Sequence, residues 1–305
     1  MNVPLVFLYP THHRLHRNQE MTKTKILALS ILTFALFYIL IALFPYLPIG
    51  MDWQQTYRPA ALALAHGKSP FSVEIFYAAP WSLIPLIPFA LLPYDVGNAG
   101  IFLLGLFIFA YVAYKLGANF KSMSIFLLSA SVMGCLIYGN IEWMPLIGFI
   151  LPAPIGLIFA IIKPQVGIGI AIYWFFNILK TKGIWSVVKA FAPVTILTLI
   201  SFWMYGFWPL RFQQTLELNA KSSVSYNTSL WPQGIFIGIW LLYKAIRNEK
   251  PRMAMASSPF LSPYALQFTW VAVLAGLIQE PLELLLISIG LWIPVIIRVI
   301  HFYLG

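Results

Sequence analysis

The stretch Gly50–Trp81, GMDWQQTYRPAALALAHGKSPFSVEIFYAAPW, is the part of the chain from which the rest is interpreted. It follows the first long apolar run and carries four charges, Asp52, Arg58, Lys68 and Glu74. Charged residues make up only 9% of the chain, so this density is unusual. Asp52 comes directly after a run that is predicted to cross a bilayer. A carboxylate there is either solvated and idle or held at the membrane face for chemistry, and we favour chemistry.

Composition predicts a polytopic membrane protein. Hydrophobic residues make up 60% of the 305 residues and aromatic residues 16%, and the mean hydropathy is +0.83. A soluble domain of this length cannot bury so much apolar surface. The net charge of +10 is distributed between apolar runs, where orientation signals belong, so we expect no nucleic-acid partner. The single cysteine and the absence of metal-ligand spacing indicate neither a metal nor a cofactor.

Spans of roughly 20 apolar residues divide the chain. We predict an all-α bundle of about ten transmembrane helices, with an interfacial helix over Asp52–His66 in the first outer loop. Residues 26–305 form one integral domain after a cytoplasmic arm at 1–25, unless the true start is Met21. The candidate spans are Ile26–Phe44, Ala79–Pro93, Ala99–Tyr114, Met123–Tyr138, Trp143–Ile162, Val166–Leu179, Ile184–Tyr205, Ile235–Tyr243 with its flanks, Phe260–Ile278 and Leu282–Ile297.

The distribution of lysine and arginine gives the predicted orientation. More basic residues fall in inner than in outer loops when both termini are cytoplasmic, as expected for a multi-pass plasma-membrane protein. Lys115 and Lys121 fit this orientation poorly, because they fall in an outer turn. If Ala79–Pro93 were re-entrant, the helices after it would cross the membrane in the opposite direction. Glu142 falls on the cytoplasmic side, which makes it structural or a sign that the topology is wrong. Three polar segments meet at the outer face: Asp52–Tyr77, Lys163–Gln165 and the loop Phe207–Trp231.

Four segments occur in a recognisable order. They are YRPAALALAHGKSPF with the following FYAAPWSLIPLIPFALLP, Tyr138-Gly139-Asn140 followed by Glu142, Ile162–Gln165 (IKPQ), and Ser258–Tyr264 (SPFLSPY). This order resembles glycosyltransferase family 87, polyprenyl-phosphate-sugar-dependent mannosyltransferase-like enzymes of the GT-C architecture. The likeness extends over most of the chain from Leu32 to Ala275. The chain is shorter than typical members, and Asn140 stands where glutamine is more usual.

The resemblance implies an inverting transfer of a mannose-like sugar from a polyprenyl-phosphate donor to a lipid or glycan acceptor. It makes Asp52 the general base, since a positioned carboxylate can take the proton of an attacking hydroxyl. Cations stabilise the charge that develops on the leaving phosphate; Lys163 and Arg58 are the first candidates, with Arg211 behind them. Further expected substrate-binding residues are Tyr57, His66, Tyr77, Gln165 and Asn227.

Other interpretations remain open at this point. Asp52 also fits the N-cap of the interfacial helix, and Lys163 also fits a lysine whose ammonium extends to the interface from a span end. The alternative function is a non-enzymatic small permease, lipid flippase or assembly subunit, since transporters also use proline-broken helices.

Overall fold

The computed structural model describes residues 50–211 and 227–304, together with helical residues 31, 33–39 and 41–42. The predicted arm at 1–25 and most of the loop Phe207–Trp231 lie outside the described residues. The described part is helical throughout and contains no strand, which confirms the all-α prediction. It has three helices long and apolar enough to cross a membrane, or four if one bent pair counts as a single span. A bundle of about ten spans is therefore not confirmed.

The described helices differ widely in length, from the four residues of Ile87–Ala90 to the 24 of Pro281–Leu304. Proline and glycine interrupt many apolar runs, so that a continuous apolar stretch in the sequence often becomes two short helices. In chain order they are α1 (Arg58–Ala65), α2 (Ile87–Ala90), α3 (Tyr94–Lys115), α4 (Phe120–Leu127), α5 (Ala130–Tyr138), α6 (Trp143–Gly148), α7 (Ala153–Ala160), α8 (Pro164–Lys182), α9 (Ile184–Tyr205), α10 (Gly234–Asn248), α11 (Pro251–Ser257), α12 (Val271–Gly276) and α13 (Pro281–Leu304). The candidate spans are α3, α9 and Pro281–Ile300 of α13, and the bent pair is α4 with α5.

The first loop is helical, as the sequence predicts. A π-helical turn, Trp53–Tyr57, runs directly into α1. The turn inserts an extra residue into the helix, and such insertions are frequent at functional sites. α1 ends at Ala65 before Gly67, which has a φ of 68°.

Ala79–Pro93 does not form one long helix. Its prolines divide it into a 3₁₀ helix, Pro80–Leu86, and the single turn α2. At its far end the Leu92 carbonyl accepts a hydrogen bond from Arg58 Nη2 at 3.3 Å, so the segment returns to the loop it left. Eleven residues of tight helix rise well short of the roughly 30 Å bilayer core. The prediction of a span here is therefore not confirmed, and we interpret the segment as re-entrant.

Trp143–Ile162 is also not a span. It folds into the hairpin α6–α7, whose helices approach so closely that a Cβ on Gly148 would lie 2.7 Å from the Gly156 carbonyl oxygen. The two ends of the segment meet, because Glu142 before it and Lys163 after it form an ion pair of 2.7 Å. Glu142 and Lys163 therefore lie on the same side, and the prediction that placed them on opposite sides is wrong.

The predicted span Phe260–Ile278 is broken as well. Two 3₁₀ helices, Ser258–Leu261 and Gln267–Trp270, precede α12, and extended chain joins them. The extended chain satisfies its own polar groups locally: Ser262 Oγ donates to the Tyr264 carbonyl at 2.6 Å and accepts from the Tyr264 amide at 3.2 Å. Non-helical backbone at membrane depth is tolerated where it lines a cavity. The extended chain around Ser262 lines a cavity.

Candidate active site

A cavity of about 630 Å³ lies where five stretches of chain meet. Three of them belong to segments that the sequence placed on one face: the first loop from Asp52 to Trp81, the corner Lys163–Gln165, and Trp208–Pro209. The fourth is the extended chain around Ser262, and the fifth is Asn140, which follows α5. Within the described residues, Asp52, Asn140 and Lys163 form one hydrogen-bonded polar cluster in the cavity wall. We call this cluster the polar end of the cavity.

Asp52 lies at this polar end. It precedes the π-helical turn, yet its side chain makes no capping hydrogen bond to the helix, so the N-cap interpretation is wrong. Its carboxylate instead accepts a hydrogen bond of 2.6 Å from Asn140 Nδ2. Asn140 belongs to a segment 88 residues further along the chain, so tertiary contacts orient this carboxylate.

The Asn140 amide connects Asp52 to a buried cation. While its nitrogen faces the carboxylate, its oxygen accepts from Lys163 Nζ, from the Tyr57 hydroxyl at 3.1 Å and from the Ile141 amide at 2.7 Å. An anion at the amide nitrogen and a cation at the amide oxygen polarise the group in the same direction. Asn140 therefore couples Asp52 electrostatically to Lys163.

Lys163 is itself paired. Its ammonium lies 2.7 Å from Glu142 Oε1, and the two residues are 7% and 0% exposed. Cys135 Sγ approaches the other Glu142 oxygen at 3.6 Å. A buried pair of this kind is costly to separate. Lys163 thus lines the cavity as a cation whose charge is already paired.

The surroundings of Asp52 raise its pKa from 3.8 to about 6. Burial is the largest cause, because it disfavours the charged form. The Lys163 ammonium and the Asn140 hydrogen bond lower the pKa, and the nearby Glu142 carboxylate raises it. A carboxylate with this pKa is ionised at neutral pH and more basic than an exposed aspartate, which suits a general base.

Two glycines with positive φ hold the backbone behind Asp52 and Asn140. Gly139, with a φ of 69°, ends α5, and a Cβ there would lie 2.7 Å from Trp53 Cβ. Gly50, with a φ of 81°, leaves 2.5 Å between such a Cβ and the buried side chain of Asn98. The Gly50 amide donates to the Ile137 carbonyl at 2.7 Å. Only residues without a side chain allow the two site-bearing segments to approach this closely.

The rest of the cavity combines neutral polar groups with apolar walls. The predicted residues Tyr57, Tyr77 and Gln165 line it together with Asp52 and Lys163. The indole of Trp81 is fixed by a 3.0 Å hydrogen bond to the Ile158 carbonyl and meets Trp208 edge-on at 6.3 Å. The apolar lining is formed by Ile75, Ala78, Ile161, Ile162, Ile168, Phe202, Leu261 and Leu266.

Four predicted site residues do not line the cavity. Arg58 turns to the Leu92 carbonyl, and His66 is exposed and contacts the Leu62 carbonyl of its own helix at 2.7 Å. Asn227 ties its segment to the Pro263 carbonyl at 3.0 Å, a structural role. Arg211 donates from Nη1 to the Phe71 carbonyl at 2.7 Å and lies over the Phe71 ring, which stacks on Trp208. Asn227 is thus bonded to a residue of the cavity wall, Pro263, whereas Phe71 separates Arg211 from the wall residue Trp208.

Sequence reasoning missed the central roles of Asn140 and Glu142. The signal was present, since both belong to the segment Tyr138–Glu142. However, the predicted topology put Glu142 on the opposite side of the membrane from Lys163. No group of three His, Cys, Asp or Glu side chains within the described residues converges as metal ligands do.

The chain was compared with protein-family models, with curated proteins and with solved structures, and none of them matches.

Proposed function

We propose that this protein is an integral membrane glycosyltransferase that transfers a sugar from a polyprenyl-phosphate donor to a lipid or glycan acceptor. One observation carries the proposal: the Asp52 carboxylate is held by Asn140 at the polar end of a cavity with apolar walls. The volume of about 630 Å³ lies within the range of small-molecule sites and suits a sugar with part of a lipid chain. The ordered segments that resemble glycosyltransferase family 87 support the same reading.

Asp52 acts as the general base in this mechanism. An acceptor hydroxyl donates a hydrogen bond to the carboxylate and loses its proton to it while attacking the anomeric carbon of the donor sugar. The bond from that carbon to the phosphate oxygen breaks, and the lipid phosphate leaves with the electron pair. Attack from the face opposite the leaving group inverts the anomeric configuration.

The cation that stabilises the leaving phosphate is assigned to Arg211 in this proposal. Lys163 is occupied by Glu142 and Asn140, and Arg58 turns away from the cavity. No described carboxylate lies within ion-pair distance of Arg211, and a guanidinium offers donors beyond the one used at Phe71. Lys163 instead fixes the amide that orients the base.

The site faces the outer side of the membrane in this proposal. α3 starts beside the site, where the Tyr94 hydroxyl donates to the Gly50 carbonyl at 3.4 Å, and α8 starts at Lys163; both run away from the cavity. The ends of α3 and α8 that lie far from the cavity are connected to each other through three contacts. These are Gln279 with Leu116, Gly276 with Arg252, and Lys180 with Glu249. That region carries Lys115, Lys121, Lys180, Lys182, Lys250 and Arg252. Basic residues mark the cytoplasmic side.

This orientation changes the side of the membrane on which the C-terminus is expected. α13 begins at Pro281, next to the basic region, and is long enough to cross. Its C-terminal end then lies on the outer side, in place of the cytoplasmic position expected from the sequence. The N-terminus keeps its expected cytoplasmic position in this proposal.

The test is Asp52→Asn in membranes that contain a labelled polyprenyl-phosphate sugar. Transfer to endogenous acceptors should fall by at least about 100-fold, the scale of a lost general base. Asp95→Asn is the matched control, because Asp95 is an acidic residue at the start of α3 and does not line the cavity. Full transfer by Asp52→Asn would refute this mechanism.

A transporter is the second candidate. Re-entrant segments and a buried charge pair beside a cavity are also features of transporters. Reconstituted vesicles separate the two functions: solute or lipid movement without any sugar transfer supports the transporter.

A further inference from the structure

The cavity has an unbalanced set of charges at its polar end. Asp52 and Lys163 are the charged side chains among the residues that line it, and Glu142 lies directly behind them. Two carboxylates therefore face one ammonium, and that ammonium is already paired with Glu142 at 2.7 Å. With both carboxylates ionised, this end of the cavity carries a net charge of −1.

The remaining polar groups that line the cavity are neutral. Gln165 and Tyr77 offer amide and hydroxyl groups, and Trp81 and Trp208 offer flat aromatic faces. Hydroxyls and amides pair with sugar hydroxyls, and aromatic faces pack against the apolar faces of sugar rings. A phosphate or carboxylate entering here would lose its hydration next to a net negative charge with no free cation to replace it.

We propose that the polar end of the cavity selects an uncharged, hydroxyl-bearing head group on an apolar chain and rejects an anionic one. The inference rests on the proposed function in one respect: it makes this head group the acceptor, whose hydroxyl meets Asp52. The donor phosphate then lies away from Asp52, toward the Arg211 side of Trp208. The acceptor class is thus a neutral glycolipid or lipid-linked sugar.

Binding of two probes with the same apolar chain tests this selectivity. The purified Arg211→Gln variant, which lacks the cation proposed for the donor phosphate, is titrated in phosphatidylcholine nanodiscs at pH 8 with radiolabelled geranyl glucoside and with geranyl phosphate, and binding to empty nanodiscs is subtracted. We expect the glucoside to bind at least about tenfold more tightly, a difference of about 1.4 kcal/mol. Equal or tighter binding of geranyl phosphate would overturn the proposal.

Charge variants show whether the carboxylates cause the selectivity. Asp52→Asn and Glu142→Gln each remove one negative charge, so each should improve geranyl phosphate binding about tenfold relative to the glucoside. If loss of the buried pair prevents Glu142→Gln from folding, Asp52→Asn alone still tests whether a carboxylate causes the selectivity. Asp95→Asn should leave both affinities unchanged. Selectivity that is unaltered by Asp52→Asn would contradict the proposal.

The binding assay is independent of catalysis. Glucoside selectivity without sugar transfer would refute the glycosyltransferase proposal and leave the cavity's selectivity standing. Sugar transfer by a protein whose cavity prefers geranyl phosphate would refute the selectivity alone.

Discussion

At the scale of single residues, the proposed role of Asp52 as a base predicts a conflict between stability and activity. Its pKa is raised from 3.8 in the unfolded chain to about 6 in the fold. As pH rises through this interval the unfolded chain releases its proton first, so stability falls, and above about 6 the full cost of the ionised carboxylate is present. The shift corresponds to about 3 kcal/mol at most. Asp52→Asn should therefore melt no lower than the wild type at pH 8 while losing transfer.

The same pKa predicts the pH dependence of the reaction. The base must be ionised to accept a proton, so transfer should be constant above pH 7 and should fall as pH drops through about 6. Below the midpoint the rate should fall about tenfold per pH unit, as expected for one required carboxylate. Initial rates between pH 4.5 and 8.5 check this. A midpoint near 4 would mean that Asp52 is not the titrating base.

The buried pair Glu142–Lys163 should dominate the stability of the site. Glu142→Gln leaves a buried ammonium without its counterion and should cost roughly 3–5 kcal/mol. The double variant Glu142→Gln/Lys163→Met should be more stable than Glu142→Gln alone, since neither charge then remains buried and unpaired. Thermal unfolding in detergent measures both.

The exposed pair Lys180–Glu249 provides the control, because its charged groups are 3.5 Å apart and more than half exposed. Glu249→Gln should cost less than about 1 kcal/mol. Equal losses for Glu142→Gln and Glu249→Gln would contradict the importance of the buried pair.

At the scale of elements, the re-entrant segment Ala79–Pro93 and the hairpin α6–α7 create the site. Each returns the chain to the side it came from, so residues that are far apart in sequence meet at the cavity. Trp81 on the first segment donates to the Ile158 carbonyl on α7, which joins the two. The junction between α5 and α6 then brings Asn140 beneath Asp52.

Gly139 is the critical point of that junction. Gly139→Ala places a methyl group 2.7 Å from Trp53 Cβ in a backbone conformation that costs an L-residue roughly 1–2 kcal/mol. The adjacent Asn140 must shift, and a displacement of about 1 Å can reduce catalysis roughly 100-fold. Melting temperature and transfer rate should therefore both fall.

Gly67→Ala is the matched control, because Gly67 has nearly the same φ, 68°, and no atom within 4 Å of an added Cβ. It should show the conformational cost but keep transfer. Equal transfer by Gly139→Ala and Gly67→Ala would show that the close approach at Gly139 is not needed for activity.

At the scale of the whole molecule, the re-entrant segment removes the conflict in the charge distribution. With Ala79–Pro93 returning to its starting side, α3 carries Lys115 and Lys121 to the end of the molecule that holds the other basic turns. The sequence-based topology placed this turn outside, where basic residues are disfavoured.

Single cysteines in a Cys135→Ala background distinguish the two topologies. Lys68 and Lys121 are both exposed lysines. An impermeant maleimide should label Lys68→Cys in intact cells and Lys121→Cys only after permeabilisation. The ten-span prediction places both outside, so labelling of both in intact cells would restore it.

The sequence by itself predicted a helical membrane protein and the residues around which the proposed site is built. Apolar content far beyond what a soluble domain can bury required a membrane. The cost of ionisable side chains next to apolar runs singled out Asp52 and Lys163. These inferences depend on local composition, which the sequence contains in full.

Only the tertiary structure decided which residues these side chains contact. Apolarity does not tell whether a segment crosses the bilayer or returns, because a hairpin buried in protein is as apolar as a span. The close helix approach at Gly148 and the Glu142–Lys163 pair are contacts between distant positions that decide for return. Lys163, predicted as a phosphate partner, pairs with Glu142, and Asn140 holds Asp52 through a hydrogen bond.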